Sequence, residues 1–207
     1  MEIRVEPRMY FEQMNDNTLN NLLKEYYIIS INTPEHRPTR FEYEYPPFTK
    51  EQLKNNRILV LYFHDWWIPN DKTVVYFNEN MARKIHNFID DNNVKKLIVH
   101  CTAGFSRSAA VGFVLNEYYN KIKEENINDY NTYNNNYKQS TCPNQLVVEK
   151  LMREYNLENK NIEEYINGIK ILRREIVKKR LEKHKTAKEL FEDSIKNRMR
   201  LYWSDED

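Results

Sequence analysis

Two apolar runs of different character flank a nine-residue loop. The first, Lys96-Leu97-Ile98-Val99, is short and β-branched. The second, Ala109-Ala110-Val111-Gly112-Phe113-Val114-Leu115, is longer and opens on alanines. Between them lies His100-Cys101-Thr102-Ala103-Gly104-Phe105-Ser106-Arg107-Ser108. Run length and composition predict a buried strand, then a helix, so the nine residues form a strand–loop–helix turn. The whole chain holds two cysteines, five histidines and three glycines, and this loop takes one of each. That concentration points to chemistry rather than packing.

The chemistry follows from the residue types. A helix N-terminus leaves its first amides unpaired and carries a partial positive charge. Successive amides curling inward make an anion nest. Gly104 permits a backbone turn that a side chain would forbid. The planar fork of Arg107 grips two oxygens of a phosphate. Cys101 lies at the bottom of this cradle, where amide dipoles and Arg107 favour its thiolate, a nucleophile facing the bound anion.

His-Cys-x-x-Gly-x-x-Arg-Ser, enclosing Cys-x5-Arg, resembles the signature of the cysteine-dependent protein tyrosine phosphatases. The middle, Ala103 to Ser108, most resembles the dual-specificity branch. The lipid-phosphatase branch usually carries basic residues inside this loop, whereas here Thr102, Ala103, Phe105 and Ser106 stand there. The resemblance covers roughly residues 58–155. It implies a phosphomonoesterase that works through a phosphocysteine, without metal or other cofactor, on phosphoprotein. Phosphotyrosine is the expected substrate, ahead of phosphoserine and phosphothreonine. Two alternatives stay open: the same chemistry on RNA 5′-phosphate or a phosphoinositide, and a non-catalytic phosphopeptide-binding module.

The resemblance also implies roles residue by residue. Cys101 is the nucleophile. Arg107 binds phosphate and stabilises the transition state. Ser108 donates to the sulfur and helps it leave. His100 holds loop and thiolate geometry. Thr102, Ala103, Gly104, Phe105 and Ser106 form the phosphate loop. The family's general acid is an Asp on a separate loop thirty-odd residues upstream, which protonates the leaving oxygen and then activates water. Asp65, 36 residues before Cys101, directly follows a strong strand and is preferred. Asp71, 30 residues before it, is the alternative, in a segment that loosely resembles a Trp-Pro-Asp loop. The pair Pro143-Asn144 resembles one that opens the next helix in dual-specificity enzymes. Asn144 there either braces the active-site backbone or simply caps the helix. Trp66, Trp67 and Phe105 offer walls for a phenyl ring.

Along the chain, residues 2–6 read as a strand, Pro7 to Met14 and Leu19 to Leu23 as helical, and Tyr26 to Ile31 as a strand. Four prolines between residues 34 and 50 mark a loop, with an alternating edge-strand candidate at Phe41 to Tyr45. Ile58 to Phe63 is a buried strand and Asn78 to Asp90 an amphipathic helix. Strands alternating with helices predict an α/β fold. A mainly parallel sheet of four to five strands is expected, flanked by helices, phosphotyrosine-phosphatase-like, with an extra C-terminal helix. Ligands in such sheets bind at the carboxyl ends of strands. His64-Asp65 and His100-Cys101 both lie at such ends.

Composition sets the remaining bounds. At 207 residues the chain suits one catalytic domain, residues 1–160, plus a charged helical segment over 161–207. Within the first, residues 121–141 are rich in Asn and Tyr and read as an exposed insertion. Lys170 to Arg200 holds twelve Lys or Arg against five Asp or Glu. It reads as a solvated helix face, or as a dock for an acidic partner, a nucleic acid or a membrane surface. The net charge of +1 argues against a whole-chain polyanion binder. No apolar run is long enough to span a membrane. Met1 to Glu6 lacks a signal-peptide core, and two cysteines suit a reducing compartment, so a cytoplasmic location is expected. No clustered Cys or His suggests a metal site.

Overall fold

The structure, a computed structural model, describes residues 1–34, 45–122 and 143–157. The chain divides into two units, Met1–Glu163 and Glu164–Asp207, and every described residue lies in the first. The edge-strand candidate (Tyr45 excepted), most of the Asn/Tyr-rich insertion and the basic C-terminal segment lie outside the described residues.

Four strands form one all-parallel sheet in the order β1-β4-β2-β3: β1 (Glu2–Pro7), β2 (Tyr27–Asn32), β3 (Ile58–Tyr62) and β4 (Lys96–Cys101). The register sets Pro7 beside Cys101 and Ser30 beside His100. Parallel strands need crossover connections, which cover both faces and make the inner strands continuously apolar. In β2, Ile28 to Asn32 are all buried, and so are Leu97 to Cys101 in β4.

Alternation of side chains sorts the two faces. Ile28, Ile58 and Ile98 are register neighbours and pack with Phe11, Leu19, Leu23 and Phe48. These come from α1 (Met9–Glu12), α2 (Asp16–Glu25) and the chain before a 3₁₀ turn at Gln52–Lys54. The opposite face, with Ile3, Val5, Leu97 and Val99, lies under α4 (Arg107–Asn116), with α3 (Glu79–Asp91) beside β3; α5 (Gln145–Glu154) packs on these two helices. α4 is buried along almost its whole length, which is why it carries apolar residues all round rather than a stripe.

The helix boundaries follow from capping. Asn15-Asp16-Asn17 is expected only to end the preceding helix; Asn15 accepts from the Thr18 amide and opens α2, which is longer than the Leu19–Leu23 pattern implies. Conversely, helix after Pro7 is confined to the single turn of α1. Asn78 caps α3 in the same way as Asn15 caps α2. α4 runs on into a π-helical turn, Glu117–Ile122. There Tyr119 donates to Asp90 of α3 at 2.6 Å, and burial pushes its phenol up from the ordinary value. His86 of α3 sits between Asp90 and Glu154 of α5, tying these helices together.

Phe11 links core to loop. Its ring lies 4.7 Å from that of His100 and 5.4 Å from that of Phe48. Phe11→Ala should lower stability by about 3–5 kcal/mol, the usual loss for a buried aromatic with its cavity. The shift in a urea midpoint measures it.

Candidate active site

The loop after β4 is built on three backbone anchors. The Arg8 amide donates to the carbonyls of Cys101 and Thr102 at 2.9 and 3.2 Å, holding the strand end. Gly104 adopts φ +67°, a left-handed turn. A Cβ there would fall 2.8 Å from the nitrogen of Pro7 and 2.9 Å from the carbonyl carbon of Glu6, both backbone atoms. Glycine is therefore required twice, for conformation and for the close approach of β1. The carbonyl of Ser106 then accepts from the Ala110 amide, starting α4, and from the Asn144 amide.

Within this frame Cys101 is buried at the end of β4 and Ser108 lies in the first turn of α4. Their Sγ and Oγ atoms are 3.1 Å apart. Arg107, the first residue of α4, is nearly enclosed. Its Nη1 donates to the Phe63 carbonyl at 2.9 Å and the Thr33 hydroxyl at 3.3 Å, and its Nη2 to the Thr102 hydroxyl at 2.7 Å. The fork is thus held from β2, β3 and its own loop. Thr102 and Ala103 are exposed, Phe105 is half-buried, and Gly104 and Ser106 are buried. His100 is buried with its ring against Phe11 and Phe48.

Asp65 is brought to this loop by side-chain bonds. Its Oδ1 accepts from the Ser106 hydroxyl at 2.8 Å and from Asn144 Nδ2 at 2.7 Å. Asn144 is fully buried and uses both ends of its amide. Oδ1 accepts from the Val147 amide as the cap of α5, while Nδ2 reaches Asp65 and, at 3.4 Å, the Trp66 carbonyl. The two roles open for Asn144 in the sequence coexist.

Asp71 has different work. Its Oδ1 accepts from the amide and hydroxyl of Thr73 at 2.9 and 2.6 Å, and these donors hold the carboxyl below the usual carboxylate range. Its amide donates to the Tyr76 hydroxyl. Asp71 thereby shapes the turn that returns the chain toward α3. The base of the loop carrying both aspartates is closed by His64, whose amide donates to the Val75 carbonyl at 2.8 Å. Its Nδ1 accepts from the Val75 amide at 3.0 Å, which places the ring proton on Nε2.

One contributor was not singled out from the sequence. Thr33 fixes Arg107, and the available signal was a polar Asn32-Thr33 pair closing a buried strand. Ser106, expected as one residue of the loop, is in addition a specific partner of Asp65.

Among the described residues no group of three or more His, Cys, Asp or Glu is placed to hold a metal ion, and no helix is long and apolar enough to cross a membrane. No family model matches the sequence, and no curated protein matches it. A solved structure described as Tk-PTP in its active form is similar over 82% of this chain and 91% of its own. The identity is 13% and the TM-score 0.36.

Gly104→Ala should displace β1 from the loop. The left-handed backbone alone costs an alanine about 1–2 kcal/mol, and the overlap with Pro7 adds to it. Chemical denaturation checks the first effect. Hydrogen exchange at the Arg8 amide, which should speed up, checks the second.

Proposed function

We propose that the protein is a phosphomonoesterase that forms a phosphocysteine at Cys101 and acts on phosphoprotein. Phosphotyrosine leads, and phosphoserine and phosphothreonine are included, as in the dual-specificity branch of the cysteine-dependent phosphatases. One observation carries the reading. A thiol at a helix N-terminus lies 3.1 Å from a serine hydroxyl, and the same loop hydrogen-bonds a carboxylate from a second strand end.

The chemistry then runs as two displacements. The phosphate binds the loop amides and the fork of Arg107, whose fixed donors stabilise the equatorial oxygens as charge develops. Sγ of Cys101 attacks phosphorus, and the bond to the leaving oxygen breaks. That oxygen takes the proton of Asp65. Oδ2 is the oxygen left for this transfer, because Oδ1 already accepts two hydrogen bonds. Water next attacks the phosphocysteine, giving a proton to Asp65 while sulfur leaves as thiolate. Ser108 donates to that thiolate.

Asp65 is favoured over Asp71 on position. Asp65 bonds to the loop that carries Cys101 and Arg107, whereas the carboxyl of Asp71 is turned to Thr73 within its own turn. Trp66 and Trp67 adjoin Asp65 in sequence and supply aromatic surface for a phenyl leaving group.

Vanadate-sensitive hydrolysis of p-nitrophenyl phosphate, abolished in Cys101→Ser, is the expected result. Absence of turnover between pH 5 and 8 would leave a binding module. Asp65→Asn should lower kcat by roughly 10²–10⁴-fold, the usual contribution of a positioned acid. A general acid must be protonated, so activity falls as pH rises through its titration. Asp65→Asn should flatten that basic limb. Asp71→Asn should retain it, and the reverse pattern would reassign the acid.

A further inference from the structure

Among the described residues, the large apolar side chains that stand well exposed are Met9 (60%), Tyr45 (67%), Trp66 (37%), Trp67 (40%) and Ile68 (48%). All five belong to one end of the sheet. Met9 starts α1 immediately after β1, and the carbonyl of Tyr45 accepts from Nη1 of Arg8 beside it. Trp66, Trp67 and Ile68 follow β3. β1 and β3 are the two edges of the sheet, and the loop of Cys101 leaves β4 between them. The exposed apolar surface is thus divided, one part on each side of the phosphate loop. Singly exposed apolar residues are ordinary; here they fall at the same end of the sheet as the loop of Cys101, on both sides of it.

The spacing suits an extended chain. Three strand separations of about 4.8 Å set the ends of β1 and β3 roughly 14 Å apart, with the loop one separation from β1 and two from β3. An extended peptide advances about 3.4 Å per residue, so roughly four residues span the distance between these two strand ends.

Resting on the phosphatase reading above, we propose that the substrate is an extended phosphopeptide with apolar residues on both sides of the phosphorylated one. One side packs on Met9 and Tyr45, the other on Trp67 and Ile68. Charge favours a peptide over a phosphoinositide surface. The phosphate loop carries a single cation, Arg107, and Thr102, Ala103, Phe105 and Ser106 add none. The Asp65 carboxylate is bonded to the same loop, so further phosphates on a headgroup would meet it with like charge. Arg8, on the near flank, is engaged by Glu12 and the Tyr45 carbonyl.

The test is kcat/KM for phosphotyrosyl peptides carrying Leu or Ser within three residues on either side, with p-nitrophenyl phosphate as the control substrate. Leu should be preferred on each side by tenfold or more. Met9→Ser should erase the preference on one side and Ile68→Ser on the other, both with unchanged p-nitrophenyl phosphate turnover. Equal rates for all peptides by an enzyme active on the control would overturn this proposal and leave the phosphatase reading standing. So would both variants acting on the same side. Loss of vesicle binding (phosphatidylcholine with phosphatidylinositol phosphate) in both variants, without peptide preference, would overturn it in favour of a membrane surface. No vanadate-sensitive turnover of the control would overturn the phosphatase reading and this proposal with it.

Discussion

Asp65 Oδ1 accepts two hydrogen bonds, one from Ser106 and one from Asn144, and much of the site's arrangement depends on that oxygen. Three chain segments meet there: the exit from β3, the loop after β4 and the start of α5. Each brings its own anchor. His64 and Val75 close the base of the first, Ser106 holds the second to the Asn144 amide through its carbonyl, and the cap on Val147 fixes the third. A carboxylate on an exposed loop would otherwise sample many positions. Here its orientation follows from groups that are themselves buried.

The same economy appears around Arg107. Its donors reach Thr33, Phe63 and Thr102, so the ends of β2 and β3 and the loop after β4 determine where the guanidinium lies. A preorganised fork reorients little when an anion arrives, and that is the condition under which fixed dipoles help most. The parallel sheet supplies the condition by placing the ends of β2, β3 and β4 side by side.

The α/β architecture and the cysteine loop were legible in the sequence because both rest on local patterns. Apolar runs, their lengths and the Cys-x5-Arg spacing need no tertiary information. The ends of elements were less so. Asn15-Asp16-Asn17 reads as a break after the first helix, and only the position of the Thr18 amide shows Asn15 to be the cap of the next. The choice between Asp65 and Asp71 is likewise tertiary. Both lie on one loop at acceptable distances, and what separates them is that Thr73 stands two residues after one while Ser106 and Asn144 approach the other. The strand order also depends on which crossovers pack, which is why β1, first in sequence, ends as the neighbour of β4.

That neighbour relation has a consequence for how the protein assembles. β1 joins the sheet through β4 alone, in a register pairing Glu2 with Lys96 and Pro7 with Cys101. These contacts join distant parts of the sequence, but once β2 has paired with β4 only the segment between Pro7 and Tyr27 remains to be closed. The β2–β3 pair spans far less sequence and can form early. The left-handed turn at Gly104 packs against the end of β1, so the loop after β4 takes its final shape with the docking of the first strand. The loop that carries Cys101 and the first strand are therefore completed together, although they lie far apart in the sequence.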